Sequence, residues 1–245
     1  MPDSGGERPL VRGVDGCPAG WIAVTIAATG PLTPCVTITR NIAELAKGAE
    51  KIAVDMAIGL PERAGPGGRG PEQLVRPLLG ERQSSVFSVP SRAAVFAADY
   101  GEACRLALET SDPPRKVSKQ AFFLFPKMRE IDALLRSDPA LMARVHEVHP
   151  EVAFWRLNGE RPLPSPKKVS SRGHPPGLAL RRDLLVAAGY DEAFLSQAPR
   201  GAGLDDLLDA AVNALVARRL LAGQARPFPD PPGCDAHGLP VAIWA

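Results

Sequence analysis

Four aspartates lie within or beside apolar stretches of the sequence, where an uncompensated carboxylate is costly to bury. Asp15 and Asp55 each follow a short apolar run that is typical of a buried strand, and each precedes a glycine-bearing segment. Asp206 and Asp209 lie in an apolar, helix-forming stretch near the C-terminus. Acids in three such stretches of one chain favour a shared role, and that role needs a positive charge to compensate them.

The two helical aspartates belong to a stripe that continues to Asn213, because residues three and four apart share one face of a helix. A structural interpretation stays open for part of this stripe, since Asp205 or Asp206 can cap the helix and interact with its positive end. That interpretation explains Asp209 less well, because Asp209 lies beyond the cap among alanines and leucines. We therefore expect the stripe to face a functional site.

Asp15 alone is typical of a hairpin turn, because Asp-Gly is a common turn pair. Asp55 differs, since the sequence after it stays apolar (MAIGLP) and no turn is expected there. If the two strands are neighbours, both carboxylates project near one sheet edge, where the last helix can add Asp206 and Asp209. Carboxylates gathered in this way repel one another and raise their pKa values. A hard divalent cation removes the conflict, so the sequence predicts a site for Mg²⁺ or Mn²⁺.

Two glutamates are further candidates for this site. Glu147 and Glu151 lie in a strand-then-helix stretch, although Glu151 is also typical of the first turn of a helix that begins near Pro150. His146 and His149 flank Glu147 without the spacing of zinc ligands. The four cysteines are widely separated and form no CxxC pair, which argues against a zinc site and a disulfide framework.

The hydrophobic pattern predicts how these residues are positioned. Strands are expected over 11–14, 21–27, 35–40 and 52–60, with a short helix after Asn41, which gives the order β-β-β-α-β. A further strand is expected from residue 145 and an edge strand at the C-terminus, with a proline-rich basic loop over 161–176. Helices are expected over 98–108, 119–135 with a break at Pro126, 181–188 and 204–222.

Composition sets broad limits on the function. The 245 residues carry a formal net charge of +2, so a polyanionic partner would need a local basic patch. The 45% hydrophobic content suffices for a buried core. With neither a signal peptide nor an apolar run of membrane-spanning length, the sequence predicts a cytoplasmic protein without a membrane partner.

Six segments resemble domain-of-unknown-function family 429, a family of predicted RNase H-like nucleases. They are GVDGCPAGW, VDMAIGLP, RQSSVFSVP, SKQAFFLFPKMREID, EVHPEVAFWRLNG and DDLLDAAVNALVA. The DxxDA pattern at 206–210 also resembles the C-terminal helix motif of RuvC-like resolvases. The resemblance implies an α/β fold with an RNase H-like mixed five-stranded sheet flanked by helices. The length and the hydrophobic pattern predict a flexible tail over 1–10 and one domain over 11–245, with a loop and helical insertion at about 62–140 after the fourth strand.

The resemblance also implies which residues form the site. Asp15, Asp55, Glu151 and Asp206 would be catalytic, and two ions about 4 Å apart would activate a water and stabilise the leaving oxygen. Asp15, Asp55, Asp206 and Asp209 would be the metal ligands. RNase H has a further glutamate on its first helix, and Glu44 is the nearest candidate, but its surroundings are typical of an exposed helix position.

We therefore expect a divalent-metal-dependent nuclease that hydrolyses phosphodiester bonds in DNA or RNA. An alternative is a non-catalytic, nucleotide- or ligand-binding regulatory module on the same fold, which the near-neutral charge and the few aromatic residues favour. The oligomeric state stays open, with a homodimer as one alternative. The expected contacts to a nucleic-acid backbone are Lys167, Lys168 and Arg172, and the second choice is Arg115, Lys116 and Lys119.

Overall fold

A mixed five-stranded sheet forms the centre of the computed structural model, which describes residues 8–170 and 172–245. Its strands lie in the order β3-β2-β1-β4-β5, with β2 antiparallel to both of its neighbours and β4 parallel to both of its own. The predicted α/β fold, with helices flanking a mixed sheet, is confirmed. The strands are β1 (Leu10–Cys17), β2 (Gly20–Ala27), β3 (Cys35–Thr39), β4 (Lys51–Val54) and β5 (Val145–Glu147).

Most of the helices follow β4, as the expected insertion requires. Asn41 caps the first helix by accepting a hydrogen bond from the backbone of Ala43 at 2.9 Å. The expected break near Pro126 is also present, because one helix ends at Phe122 and the next begins at Phe125. The helices are α1 (Ile42–Leu45), α2 (Gly70–Val75), α3 (Arg92–Val95), α4 (Tyr100–Glu109), α5 (Lys119–Phe122), α6 (Phe125–Ser137), α7 (Pro150–Leu157), α8 (Pro175–Ala187) and α9 (Leu204–Leu221), with 3₁₀ helices at Arg76–Ser85 and Pro139–Ala143. Across 8–170 and 172–245, no helix combines the length and apolarity that crossing a membrane requires.

The sheet has a hydrophobic core on each face. Alternate residues of β2 point to opposite faces, so that Ile22 packs with α9 and α7 while Trp21 packs with α6 and α3. α9 approaches β1 so closely that a Cβ on Gly13 would lie 2.0 Å from the backbone nitrogen of Ala214. Asn213 completes this contact by donating its side-chain N–H to the carbonyl of Val14 at 3.0 Å. The close packing fixes the start of α9 beside the end of β1.

The structure differs from the expected elements in four places. β4 ends at Val54 rather than continuing to residue 60, because the backbone of Met56 turns back to donate to the Val54 carbonyl at 2.9 Å. α8 begins at Pro175, and a short hairpin precedes it inside the expected loop. The C-terminal strand pairs in a separate two-stranded sheet with a proline-rich strand that the pattern did not indicate. Residues 1–7 of the expected tail lie outside the described residues, and Leu10 already belongs to β1. The expected C-terminal strand is β9 (Pro240–Trp244), and the strands that were not expected are β6 (Lys168–Val169), β7 (Arg172–Gly173) and β8 (Pro227–Cys234).

Candidate functional site

Asp15 and Asp55 lie side by side at one edge of the central sheet. Asp15 is a buried residue near the end of β1, where its carboxylate accepts a hydrogen bond from the backbone of Gly16 at 2.7 Å. Asp55 directly follows β4, and its backbone N–H donates to the carbonyl of Val14 at 3.0 Å. This bond extends the parallel pairing of β1 and β4 by one residue. The expectation that Asp55 lies within a strand is therefore wrong, but the two aspartates are neighbours as predicted.

The start of α9 brings three more aspartates to the same edge. Asp205, Asp206 and Asp209 are all buried, and Asp209 is only 1% exposed. The side chain of Asp206 accepts a hydrogen bond from the backbone of Gly203 at 2.8 Å, so the capping interpretation holds for this residue. Asp209 lies one turn further and has no such capping contact among its hydrogen bonds. The start of α9 therefore has both predicted features: Asp206 caps the helix, and Asp209 is a buried acid beyond the cap.

These acids line a cleft of about 640 Å³ between the sheet edge, α9, α7 and the segment before α8. Lys127 lies on its wall, where the ammonium donates to the carbonyl of Gly20 and sits 4.4 Å from the centre of the Trp21 ring. Arg82 and the two adjacent serines of the motif RQSSVF also line the cleft. The cleft therefore combines a carboxylate floor with basic and hydroxyl groups on its walls.

The segment before α8 contributes two lysines to the cleft. The ammonium of Lys167 forms an ion pair with Asp209, and the ammonium of Lys168 lies 2.5 Å from a carboxylate oxygen of Asp205. Lys167 is three-quarters buried, whereas the Lys168 side chain is 44% exposed. The positive charge that the acids require is therefore supplied in part by the chain itself.

The electrostatics of the cluster reflect its burial. Burial raises the pKa of Asp15 well above its ordinary value, and the charges of Asp55 and Asp209 raise it further. Burial also raises the pKa of Asp209 to about 7, although Lys167 opposes this. Burial alone would lower the pKa of Lys167, but the carboxylates of Asp209 and Asp15 raise it above its ordinary value. The ammonium thus stays charged while the acids resist complete ionisation.

Glu151 lies in the first turn of α7, as predicted, and is buried at the cleft wall. One of its oxygens, Oε1, accepts a hydrogen bond from the fully buried guanidinium of Arg181. Within the part of the chain that the structure describes, the other oxygen of Glu151 and the Oδ1 of Asp209 are buried without a hydrogen-bond partner. Buried polar atoms are nearly always paired, so these two carboxylate oxygens are available to accept a hydrogen bond or to contact a cation in the cleft.

The remaining candidates from the sequence are Glu147, His146 and His149, and each has a different environment. Glu147 forms a buried ion pair with Arg69, at 2.5 Å, and its carboxylate also accepts from the backbone of Ile58 at 2.7 Å. His146 packs edge-on against Trp244 outside the cleft, and burial lowers its pKa to about 4. His149 lines the cleft, as does Asp55, whose pKa is raised by burial. Over 8–170 and 172–245, no three His, Cys, Asp or Glu side chains form a ready metal-binding group.

One comparison with known proteins gives a match, and it is to a family. The family described as "protein of unknown function (DUF429)" matches residues 13–233, which include every acid of the cleft. The chain belongs to the DUF429 family. No curated protein and no solved structure matches it. The family resemblance of the sequence is thus confirmed, and the DUF429 description itself carries no activity.

The basic residues predicted from the DUF429 sequence are divided between two places. Lys167 and Lys168 face the aspartates of α9, and Arg172 is exposed on β7 of the same hairpin. Arg115 and Lys116 instead line a separate cavity of about 220 Å³ beside α4 and α5. Lys119 is exposed at the start of α5, and Glu44 is exposed on α1.

Sequence reasoning missed Lys127, Arg82, Arg181 and the ion pair of Lys167. Lys127 and Arg82 lie in two of the segments that carry the family resemblance, but no spacing links them to the aspartates. Arg181 occurs in a run of charged residues that is typical of an exposed helix face. Only its complete burial, which the tertiary structure creates, distinguishes it.

Proposed function

We propose that this DUF429 chain is a divalent-metal-dependent phosphodiesterase that hydrolyses nucleic acid in the cytoplasm. The observation that supports this most strongly is the convergence of Asp15, Asp55, Asp206 and Asp209 on one cleft. Carboxylate oxygens are the ligands that Mg²⁺ and Mn²⁺ prefer, and a cleft open to solvent can admit a phosphodiester.

The chemistry of the donor set suits such an ion, although the described side chains do not already form a group of three around one point. Asp15, Asp55 and Asp206 would hold it, and the orphaned Oδ1 of Asp209 lies in the same cleft. When bound, a divalent ion activates a water molecule and stabilises charge on phosphate oxygens. The raised pKa values of these acids fall when a cation binds, so binding and complete ionisation support each other.

The remaining groups would handle substrate and water. Glu151, fixed through one oxygen by Arg181, keeps its other oxygen available at the cleft wall to orient a water by accepting a hydrogen bond. Lys127 and Arg82 lie on the same walls, where they can contact phosphate oxygens. Lys168 lines the cleft and Arg172 is exposed on the same hairpin, so both suit contacts to a longer nucleic-acid backbone.

The experiment is a cleavage assay on single-stranded, duplex and branched DNA and RNA with Mg²⁺ or Mn²⁺. We expect cleavage of at least one substrate, its loss on chelation, and a decrease of at least about 100-fold in Asp55→Asn. Glu44→Gln is the matched control, because it neutralises an exposed acid away from the cleft. Equal activity in Asp55→Asn and the wild type would refute the assignment of the site.

A second function, a non-catalytic module that binds a nucleotide or another small ligand, is favoured by one observation. The Lys167 ammonium already compensates Asp209 without an added ion. Calorimetric titration with Mn²⁺ at neutral pH separates the two functions. Absence of binding together with absence of cleavage would favour the module.

A further inference from the structure

The Lys167 side chain extends into the cleft and places its ammonium beside the carboxylate of Asp209. Its ammonium pairs with a carboxylate that is 1% exposed, and the charges of Asp15 and Asp55 act on the same ammonium. A lysine that only screened surface charge would lie at the rim, as Lys168 does. Lys167 instead reaches the buried part of the acidic cluster.

The backbone that carries Lys167 is anchored on the N-terminal end of α8. The carbonyl of Lys167 accepts a hydrogen bond from the backbone of His174 at 2.8 Å, and the His174 ring lies 3.2 Å from the carbonyl of Pro166. Pro166 also packs directly on Gly177, where a Cβ would lie 1.8 Å from the Pro166 carbonyl oxygen. These contacts hold the segment against the helix.

A second anchor connects the same segment to the cleft. The fully buried Arg181 donates to the carbonyl of Ser165 at 3.1 Å and, through its other terminal nitrogen, to Glu151. One guanidinium therefore fixes both the chain leading to Lys167 and an acid of the cleft wall. The position of the ammonium is built into the fold in the same way as the positions of the carboxylates.

We infer that Lys167 is the permanent cation at the Asp209 end of the cleft, so that the site takes one divalent ion rather than two. This inference rests on the proposed function and specifies its metal content. A second divalent ion bound to Asp209 would lie close to the ammonium that already pairs with this carboxylate. The two positive charges would repel each other, and this repulsion is strong in a partly buried site. The single ion would be held by Asp15, Asp55 and Asp206, and the ammonium of Lys167 would supply the positive charge at Asp209.

The test is calorimetric titration of the full chain with Mn²⁺, using the wild type and three variants. Lys167→Met removes the charge while keeping the length of the side chain, Lys167→Arg keeps the charge, and Lys168→Met is the control on the same hairpin. We expect one Mn²⁺ per chain for the wild type, Lys167→Arg and Lys168→Met. We expect two for Lys167→Met, because Asp209 then becomes available to a second ion.

The outcomes separate this inference from the proposed function. One Mn²⁺ in both the wild type and Lys167→Met would overturn the inference and leave the metal-dependent activity standing. Absence of Mn²⁺ binding in every variant would overturn both. If circular dichroism shows that Lys167→Met does not fold, the wild-type count decides: two ions per chain would overturn the inference, and one ion together with one in Lys167→Arg would support it.

Discussion

Replacing Gly13 with alanine tests whether the direct packing of α9 on β1 creates the acidic cleft. The added Cβ would lie 2.0 Å from the backbone nitrogen of Ala214 and 2.2 Å from the carbonyl oxygen of Ala210. Both atoms belong to the helix backbone, so no side-chain rotation relieves the clash. α9 would have to withdraw by at least about 1 Å, and overpacking of this kind costs about 3 kcal/mol of unfolding free energy.

The same displacement would move Asp206 and Asp209 away from Asp15. Because misplacement by about 1 Å can reduce catalysis by about 100-fold, we expect any nuclease activity of Gly13→Ala to fall at least that much. The assay is urea denaturation followed by circular dichroism, paired with the cleavage assay. Gly16→Ala is the control for stability, since the atoms nearest to its Cβ belong to the flexible side chain of Lys127, the closest at 3.0 Å. Equal stability losses in the two variants would refute the reasoning.

Three further predictions concern stability and are measured by urea denaturation. Burial keeps His146 neutral in the fold down to pH about 4, whereas the unfolded ring takes a proton below its ordinary pKa of 6.5, so stability falls as the pH drops through this interval. His146→Phe should therefore remove about 1–2 kcal/mol of the loss between pH 7 and pH 5, and an unchanged loss would contradict the cause. Arg181→Met leaves Glu151 buried without its ion pair and should cost about 3–5 kcal/mol, partly restored by adding Glu151→Gln; no restoration would contradict the pairing. Arg105→Ala breaks an exposed ion pair with Glu109 and should lower the free energy of unfolding by less than about 0.5 kcal/mol. A decrease of more than about 1 kcal/mol would contradict the expectation that exposed ion pairs contribute little to stability.

The sequence was sufficient for the central sheet and for most of the acidic cleft. Strands and helices with a clear hydrophobic period lie where that period indicates, and Asp15, Asp206 and Asp209 have the predicted neighbours. Asp55 lies beside Asp15 as predicted, although the strand before it ends at Val54 and not at residue 60. The apolar residues after Asp55 are buried by tertiary packing rather than by strand pairing, and hydrophobicity does not distinguish these two causes.

The features that were missed depend on contacts between residues far apart in the sequence. The pairing of Lys167 with Asp209 joins a proline-rich loop to the last helix, and no local pattern carries that information. β8 was missed because its prolines are unusual in strands, where they remove hydrogen-bond donors. Arg181 resembles a surface arginine until the fold buries it against Glu151. The long-range ion pairs and the proline-rich strand β8 could therefore be identified only from the structure.

The most direct test of the central claim, that the acids of the cleft bind a divalent ion, is a crystal structure of the chain soaked in Mn²⁺. Anomalous difference density would locate the ion without reference to its ligands. We predict a peak within coordination distance of Asp15, Asp55 and Asp206, about 2.0–2.3 Å from their oxygens. A fully soaked crystal without a peak in the cleft, or with its only peak elsewhere, would contradict the claim.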